Sequence, residues 1–202
     1  MASNAEKSEE TRAALVRSAT EIISKKGYAK TTLEDIVKNI GMTRGAFYWH
    51  FKGKKEIMNE IERLYEERYL KDYGKFNVLP SACETIACLV THQINDIFDE
   101  ERADYAFIIR YRIEALTELP DLVEKQARID EFSIKQIADQ IERGKEQGEF
   151  REDVDADAAA LSIFTYIVGV ENVYMLHSDG KKPFLRDEFI RGGLGYIDAL
   201  KK

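Results

Sequence analysis

The stretch TTLEDIVKNIGMTRGAFYWHFKGKKEIM, residues 31–58, is the most informative part of this sequence. Apolar residues recur in it at helical spacing before and after Gly41, which predicts two short helices joined by a tight turn. Thr32 and Asp35 have the spacing of a capping box at the start of the first helix, and Thr43 can cap the second. This arrangement is typical of a helix-turn-helix, whose second helix enters the major groove of DNA. A helical hairpin without a DNA-binding function would show the same spacing.

Helical periodicity extends outward from this stretch in both directions, and we find no strand-like alternation of any length. The fold class is therefore predicted to be all-α. An N-terminal three-helix helix-turn-helix head at residues 1–56 is joined to a larger helical domain at residues 57–202. The predicted helices outside residues 31–51 lie at 9–26, 54–71, 81–98, 103–117, 121–147, 155–178 and 185–201.

Charge is distributed unevenly along the 202 residues, although the formal net charge is only -7. Residues 1–55 hold 11 Lys and Arg against 6 Asp and Glu, whereas residues 56–202 hold 19 against 31. A basic head attached to an acidic body fits a module that faces DNA phosphates and a second domain that does not touch them.

Composition argues against several other classes of protein. With 44% hydrophobic and 33% charged residues, the chain has the composition of a globular protein, and we expect no signal peptide, no membrane span and a cytoplasmic location. Cys83 and Cys88 fit neither a zinc spacing nor a disulfide framework, and we expect both to be buried thiols. The three histidines belong to no catalytic motif, so we expect no enzyme activity, no metal site and no cofactor.

Residues 31–58 also closely resemble the N-terminal signature of TetR-family transcriptional regulators. The resemblance lies in the Thr-Thr helix start, the central glycine, and a Thr-Arg-Gly-x-x-Tyr-x-His-Phe recognition helix followed by a lysine. It extends backward through the Gly27-Tyr28 turn and covers about 50 residues. The Tyr48-Trp49-His50-Phe51 variant is similar to that of the AcrR-like multidrug-efflux subgroup. The resemblance implies a repressor that a small hydrophobic or aromatic ligand releases from a palindromic operator, with control of an efflux system as a narrower expectation.

Within the helix-turn-helix, we expect Arg44 to read a base, because a guanidinium can bond guanine O6 and N7 together. Gly45 and Ala46 lack bulk and would let the helix approach the floor of the groove. Tyr48 and His50 stand where the family places phosphate-binding residues, and each carries a suitable hydrogen-bond donor. Lys54, Thr32 and Thr43 complete the expected DNA-binding set.

Other roles remain open for several of these residues. Arg44 could instead pair with Asp35 or Glu34, and Ala46 could serve helix packing alone. Thr32 and Thr43 could act only as helix caps. We expect Phe47 and Phe51, four residues apart, to lie in the core rather than at the DNA.

The resemblance also implies that the larger domain is a ligand-binding and dimerisation domain with a pocket between helices five to eight. Aromatic residues at helical spacing are abundant there, although singly they are more often core than pocket. Four polar residues could orient a ligand among them. The candidate ligand-binding residues are His92, Tyr105, Phe107, Arg110, Tyr111, Glu114, Phe132, Phe164, Tyr174 and His177.

A two-fold operator requires a two-fold protein, so we expect a homodimer that binds double-stranded operator DNA and a small-molecule effector. The residues of the last two helices that would permit close packing against the partner are Ala158, Ala159, Ala160, Leu161, Val168, Gly169, Gly192, Gly193 and Gly195. The alternative function is a helical small-molecule sensor that acts through protein partners without binding DNA.

Overall fold

The structure, a computed structural model, describes residues 4–76, 79–99, 114, 120–177 and 186–202. The all-α prediction is confirmed. The predicted helix at 103–117 lies outside the described residues except for Glu114, which is helical. The helices of the described part are α1 (Asn4–Lys26), α2 (Leu33–Asn39), α3 (Arg44–His50), α4 (Lys54–Phe76), α5 (Ala82–Phe98), α6 (Pro120–Glu146), α7 (Ala156–His177) and α8 (Arg186–Asp198).

The chain divides into two compact units, and the first of them comprises residues 1–69 and 103–118. Its core forms because α1, α2, α3 and the first part of α4 each bury one apolar stripe. These side chains are Leu15, Ala19, Ile23, Ile36, Val37, Phe47, Phe51, Ile57, Met58 and Ile61. The predicted functional boundary at residue 56 stays a prediction, because the division into compact units follows contacts rather than function.

The second unit comprises residues 70–102 and 119–202. Helix α5 packs against α6, α7 and α8, while α7 also contacts α6 and α8. Phe150, which follows α6, is fully buried, and its ring fills the space next to Gly144, where a Cβ atom would overlap the ring. The prediction of buried thiols is wrong for Cys88, which is exposed, and Cys83 is half-buried. The reason is that α5 turns a different side, with Ile86 and Val90, toward the core.

Residues 156–174 of α7 are long and apolar enough to cross a membrane by length and composition, which the sequence analysis overlooked. The helix nevertheless buries Ala160, Ile163, Ile167 and Val170. Since α7 contacts α5, α6 and α8, it has the surroundings of a core helix within a helical unit.

The small residues of α8 pack partly inside the chain. Gly192 and Gly193 lie against the ring of Tyr166, whose hydroxyl donates a hydrogen bond to the carbonyl of Phe189 at 2.7 Å. A Cβ at position 193 would also overlap Val90. The predicted use of Gly193 at a dimer interface is therefore wrong, because this residue is buried within its own chain. The same correction applies to Ala160 of α7, which is fully buried.

Glu60 is a buried carboxylate that links α1 to α4. It accepts hydrogen bonds from Arg63, one turn further along α4, and from Arg12 of α1. These two guanidinium groups outweigh the effect of burial and lower the pKa of Glu60 to about 2.

Replacing Glu60 with glutamine is expected to lower the free energy of unfolding by about 2 kcal/mol at pH 7, because it leaves Arg12 and Arg63 without their shared charge partner. The folded pKa lies below the ordinary value of 4.5. The stabilisation from the charged form is therefore present above about pH 4.5 and is lost as the pH falls toward 2. Denaturant unfolding at pH 7 and pH 3 should show a smaller difference between wild type and variant at pH 3. Glu67→Gln, which removes an exposed partner of Arg63, is the control; equal effects of both substitutions would contradict the assignment.

Candidate nucleic-acid interface

Helix α2 begins at the predicted capping box. The backbone N–H of Asp35 donates to the hydroxyl of Thr32 at 3.2 Å, and the Asp35 carboxylate accepts the backbone N–H of Thr32 at 2.8 Å. Lys26, at the end of α1, also pairs with Asp35 at 2.6 Å. The Lys26 ammonium and the Thr32 hydrogen bonds hold the pKa of the Asp35 carboxyl well below its usual range. The start of α2 is thereby attached to the end of α1.

The turn between α2 and α3 depends on Gly41, which has a φ of 65°. That left-handed conformation is unfavourable for residues with a Cβ. The N–H of Met42 donates to the carbonyl of Val37 at 2.8 Å, which closes the turn. Gly41 therefore sets the angle at which the chain enters α3.

Helix α3 has one buried and one exposed side. Thr43 caps it by accepting the N–H of Ala46 at 3.3 Å. The predicted burial of Phe47 and Phe51 is confirmed, with ring centroids 5.7 Å apart. On the opposite side Tyr48 is 51% exposed, so α3 presents a polar and aromatic face to solvent.

Arg44 lies exposed in the first turn of α3. Both acidic residues that the sequence offered as its partners are engaged elsewhere, since Asp35 pairs with Lys26 and Glu34 with Lys38. Among the described residues Arg44 makes no ion pair. Its guanidinium can therefore contact a ligand without first breaking an internal bond.

Gly45 borders open space, where an added Cβ would meet only the hydroxyl of Thr43 at 3.7 Å. Packing within the described part of the chain does not require a glycine here. Ala46, next to it, is half-buried. The start of α3 therefore carries no bulky side chain at Gly45 or Ala46 that would hold the helix away from the floor of a DNA groove.

Lys54, at the start of α4, contacts the turn that joins α1 to α2. Its ammonium donates to the carbonyls of Tyr28 at 2.7 Å and Thr31 at 3.0 Å, and lies 4.0 Å from the centre of the Tyr28 ring. Lys54 thus has a structural role that the sequence did not reveal. His50, at the end of α3, is half-buried.

Trp49 is the residue of this face that the sequence analysis missed. It is 82% exposed, more than any other large hydrophobic side chain among the described residues. The useful signal was its place between Tyr48 and His50, two residues already expected to bind phosphates. Single exposed apolar side chains are common on protein surfaces, so the place of Trp49 beside Tyr48 in α3, and not its exposure alone, makes it a candidate DNA contact.

The predicted ligand-binding residues do not come together as one described group. Phe164 is half-buried, Phe132 is exposed, and His92 lies 3.6 Å from Asp96 on the same helix. Tyr174 packs against Phe98 with ring centroids 4.8 Å apart. Tyr105, Phe107, Arg110, Tyr111 and the side chain of His177 lie outside the described residues.

Glu114 has different surroundings from those expected of a pocket residue. Its carboxylate accepts the backbone N–H of Ala29 at 3.0 Å, within the first compact unit. The described residues contain no cluster of three or more His, Cys, Asp or Glu side chains that could hold a metal ion.

Comparisons with known proteins match this chain to bacterial transcriptional regulators, both in its N-terminal part and over most of its length. The family model for bacterial regulatory proteins of the tetR family matches residues 15–61. The chain is 25% identical over 179 residues to the HTH-type transcriptional regulator TtgR of Pseudomonas putida, covering 86% of this chain and 84% of that protein. It is also 25% identical over 179 residues to the HTH-type transcriptional repressor BepR of Brucella suis, covering 87% and 84%. The solved SmeT–triclosan complex is 25% identical, covers 96% of this chain and 92% of its own, and superimposes with a TM-score of 0.75.

Proposed function

This chain belongs to the TetR family of transcriptional regulators, and from that premise we propose that it represses transcription by binding a palindromic operator as a homodimer. Members of the family are regulators and not enzymes, so the chain is not an enzyme. The observation that carries the operator proposal is the exposed face of α3, where Arg44 has no ion pair among the described residues and Trp49 is exposed.

The DNA-binding residues that we propose form three groups. Arg44, Gly45 and Ala46 read base edges in the major groove, and Trp49 contacts bases or sugars through its exposed ring. Tyr48 and His50 donate hydrogen bonds to phosphates. The N-terminus of a helix attracts phosphate groups. Thr32, Thr43 and Lys54 lie at the starts of α2, α3 and α4, and we propose that they make the remaining contacts with the DNA backbone.

The homodimer is proposed to form through an exposed stripe of α7. Exposed residues recur there at helical spacing and are small or apolar; they are Ala158, Leu161, Ser162, Thr165, Gly169 and Asn172. Tyr196 of α8 is also exposed, at 45%. Small residues permit close packing of helices from two copies.

The effector is proposed to be a small hydrophobic or aromatic molecule. The relative solved with triclosan binds a compound of that class. In this chain Phe98 and Tyr174 pack together in the second unit, and we propose that their rings contact the effector, with His92 and Phe164 as further candidates. Control of an efflux system is the narrower proposal, carried by the Tyr48-Trp49-His50-Phe51 variant of the recognition helix.

Selection of bound duplexes from a random library by the purified protein tests the function. Enrichment of a palindrome with half-sites about one helical turn apart is expected, because paired recognition helices reach successive major grooves about 34–36 Å apart. No enrichment at low or moderate salt would refute operator binding by the protein alone and would favour a sensor acting through protein partners.

Lys54→Ala is expected to weaken binding to every DNA sequence through loss of a phosphate contact, and to weaken binding to the palindrome further, because the turn before α2 also loses the Lys54 ammonium. The slope of the logarithm of the binding constant against the logarithm of salt concentration should fall by about one unit per half-site. Titrations at several salt concentrations measure this slope. Lys135→Ala, which removes an exposed cation from α6, is the control; an unchanged slope for Lys54→Ala would show that Lys54 acts only on the turn it contacts.

A further inference from the structure

The turn at residues 27–31, between α1 and α2, is held from two sides by charged side chains distant in sequence. Lys54 binds the carbonyls of Tyr28 and Thr31. Glu114 accepts the N–H of Ala29 at 3.0 Å. The hydroxyl of the buried Thr31 donates to the carbonyl of Gly27 at 2.7 Å and closes the turn from within. The Lys54 ammonium therefore satisfies two carbonyls of this five-residue turn, and the Glu114 carboxylate satisfies one of its amides.

The fit of Glu114 against this turn is close. Gly27 has a φ of 85°, and a Cβ on it would overlap the carboxylate of Glu114. The missing side chain therefore meets two requirements at once, the left-handed backbone and the space for the carboxylate. The geometry of this contact is specific, because it needs a glycine at position 27 and a charge-assisted hydrogen bond to the Glu114 carboxylate.

We propose that Glu114 is a positioning residue for operator recognition: its carboxylate fixes the turn that precedes α2 and thereby the placement of α2 and α3. The proposal rests on the DNA-binding function above and deepens it. Glu114 does not itself contact DNA. It acts through Ala29 and Gly27 of the turn.

The test compares Glu114→Ala, Glu114→Gln and wild type in two measurements. Hydrogen exchange of the Ala29 amide reports the contact directly, and we expect exchange about tenfold faster in Glu114→Ala because the amide loses its acceptor. Binding to the selected palindrome should weaken about tenfold in Glu114→Ala, while binding to a random duplex changes less than about twofold. Glu114→Gln should keep most of the protection of the Ala29 amide and most of the affinity for the palindrome, since its amide oxygen still accepts the hydrogen bond.

Glu67→Ala is the control for the loss of one negative charge from the same unit, because Glu67 is exposed and bound only to Arg63 in the described contacts. Unchanged palindrome binding in Glu114→Ala, with wild type binding normally, would overturn this inference and leave the proposed function standing. Equal losses on both duplexes together with a lower melting temperature would reduce Glu114 to a stabilising role and also overturn it. Failure of wild type to select any palindrome would refute the proposed function first.

Discussion

Replacing Arg44 with alanine is expected to remove the base preference at one position of each operator half-site. A guanidinium that bonds guanine O6 and N7 together contributes about 1–3 kcal/mol of discrimination, and a dimer makes this contact twice. Affinity for the selected palindrome should therefore fall by at least about tenfold, whereas affinity for a random duplex should change by about twofold or less. The exposed Arg44 side chain has no ion pair among the described residues, so the substitution breaks none of the described ion pairs.

A repeat of the duplex selection with the variant measures the effect position by position. Arg44→Lys is the sharper variant, because it keeps the charge and loses the planar fork; it should lose the preference and keep the affinity for random DNA. Arg128→Ala, which removes an exposed cation from α6, controls for net charge. An unchanged selected sequence, or equal losses on palindrome and random duplex, would contradict the role of Arg44.

Phe47→Ala is expected to have the largest effect on stability, about 3–5 kcal/mol in the free energy of unfolding. The Phe47 side chain of α3 is fully buried and packs against Phe51, so alanine would leave a cavity in the core of the first unit. Affinity for every DNA sequence should fall with the folded fraction. Thermal unfolding followed by far-ultraviolet circular dichroism measures the loss, and Phe47→Leu should recover much of it by refilling part of the space.

Trp49→Ala is the matched comparison, because it truncates an aromatic residue of the same helix on the opposite side. Its stability should stay within about 0.5 kcal/mol of wild type, since the side chain is almost fully exposed. DNA affinity should nevertheless fall. Trp49 is also the single tryptophan of the chain, so its fluorescence should change when wild type binds DNA. Equal destabilisation by Phe47→Ala and Trp49→Ala would contradict the two-sided description of α3.

The local features of the head could be predicted because their causes lie within a few residues of one another. The capping box of Thr32 and Asp35 spans four residues, and the burial of Phe47 and Phe51 follows from their spacing on one helix. The predicted start of α1 at residue 9 is five residues too late, because a polar first turn carries no apolar periodicity; the helix begins at Asn4. The surroundings of Glu114 could not be read in this way, since its contact with Ala29 joins residues 85 positions apart.

The sequence alone determined the all-α class and the helix-turn-helix with its caps and its glycine turn. It also indicated the family to which these residues point. Such features are encoded in short-range spacing, which the chain carries whatever its tertiary arrangement. The freedom of Arg44 from ion pairs among the described residues followed only from folding, because Lys26 must first reach Asp35 from another helix. The same holds for the exposure of Trp49, the pairing of Arg12 with Glu60, and the Glu114 contact. Each depends on which helices pack together, and that is set by the balance of burial over the whole unit rather than by any local pattern.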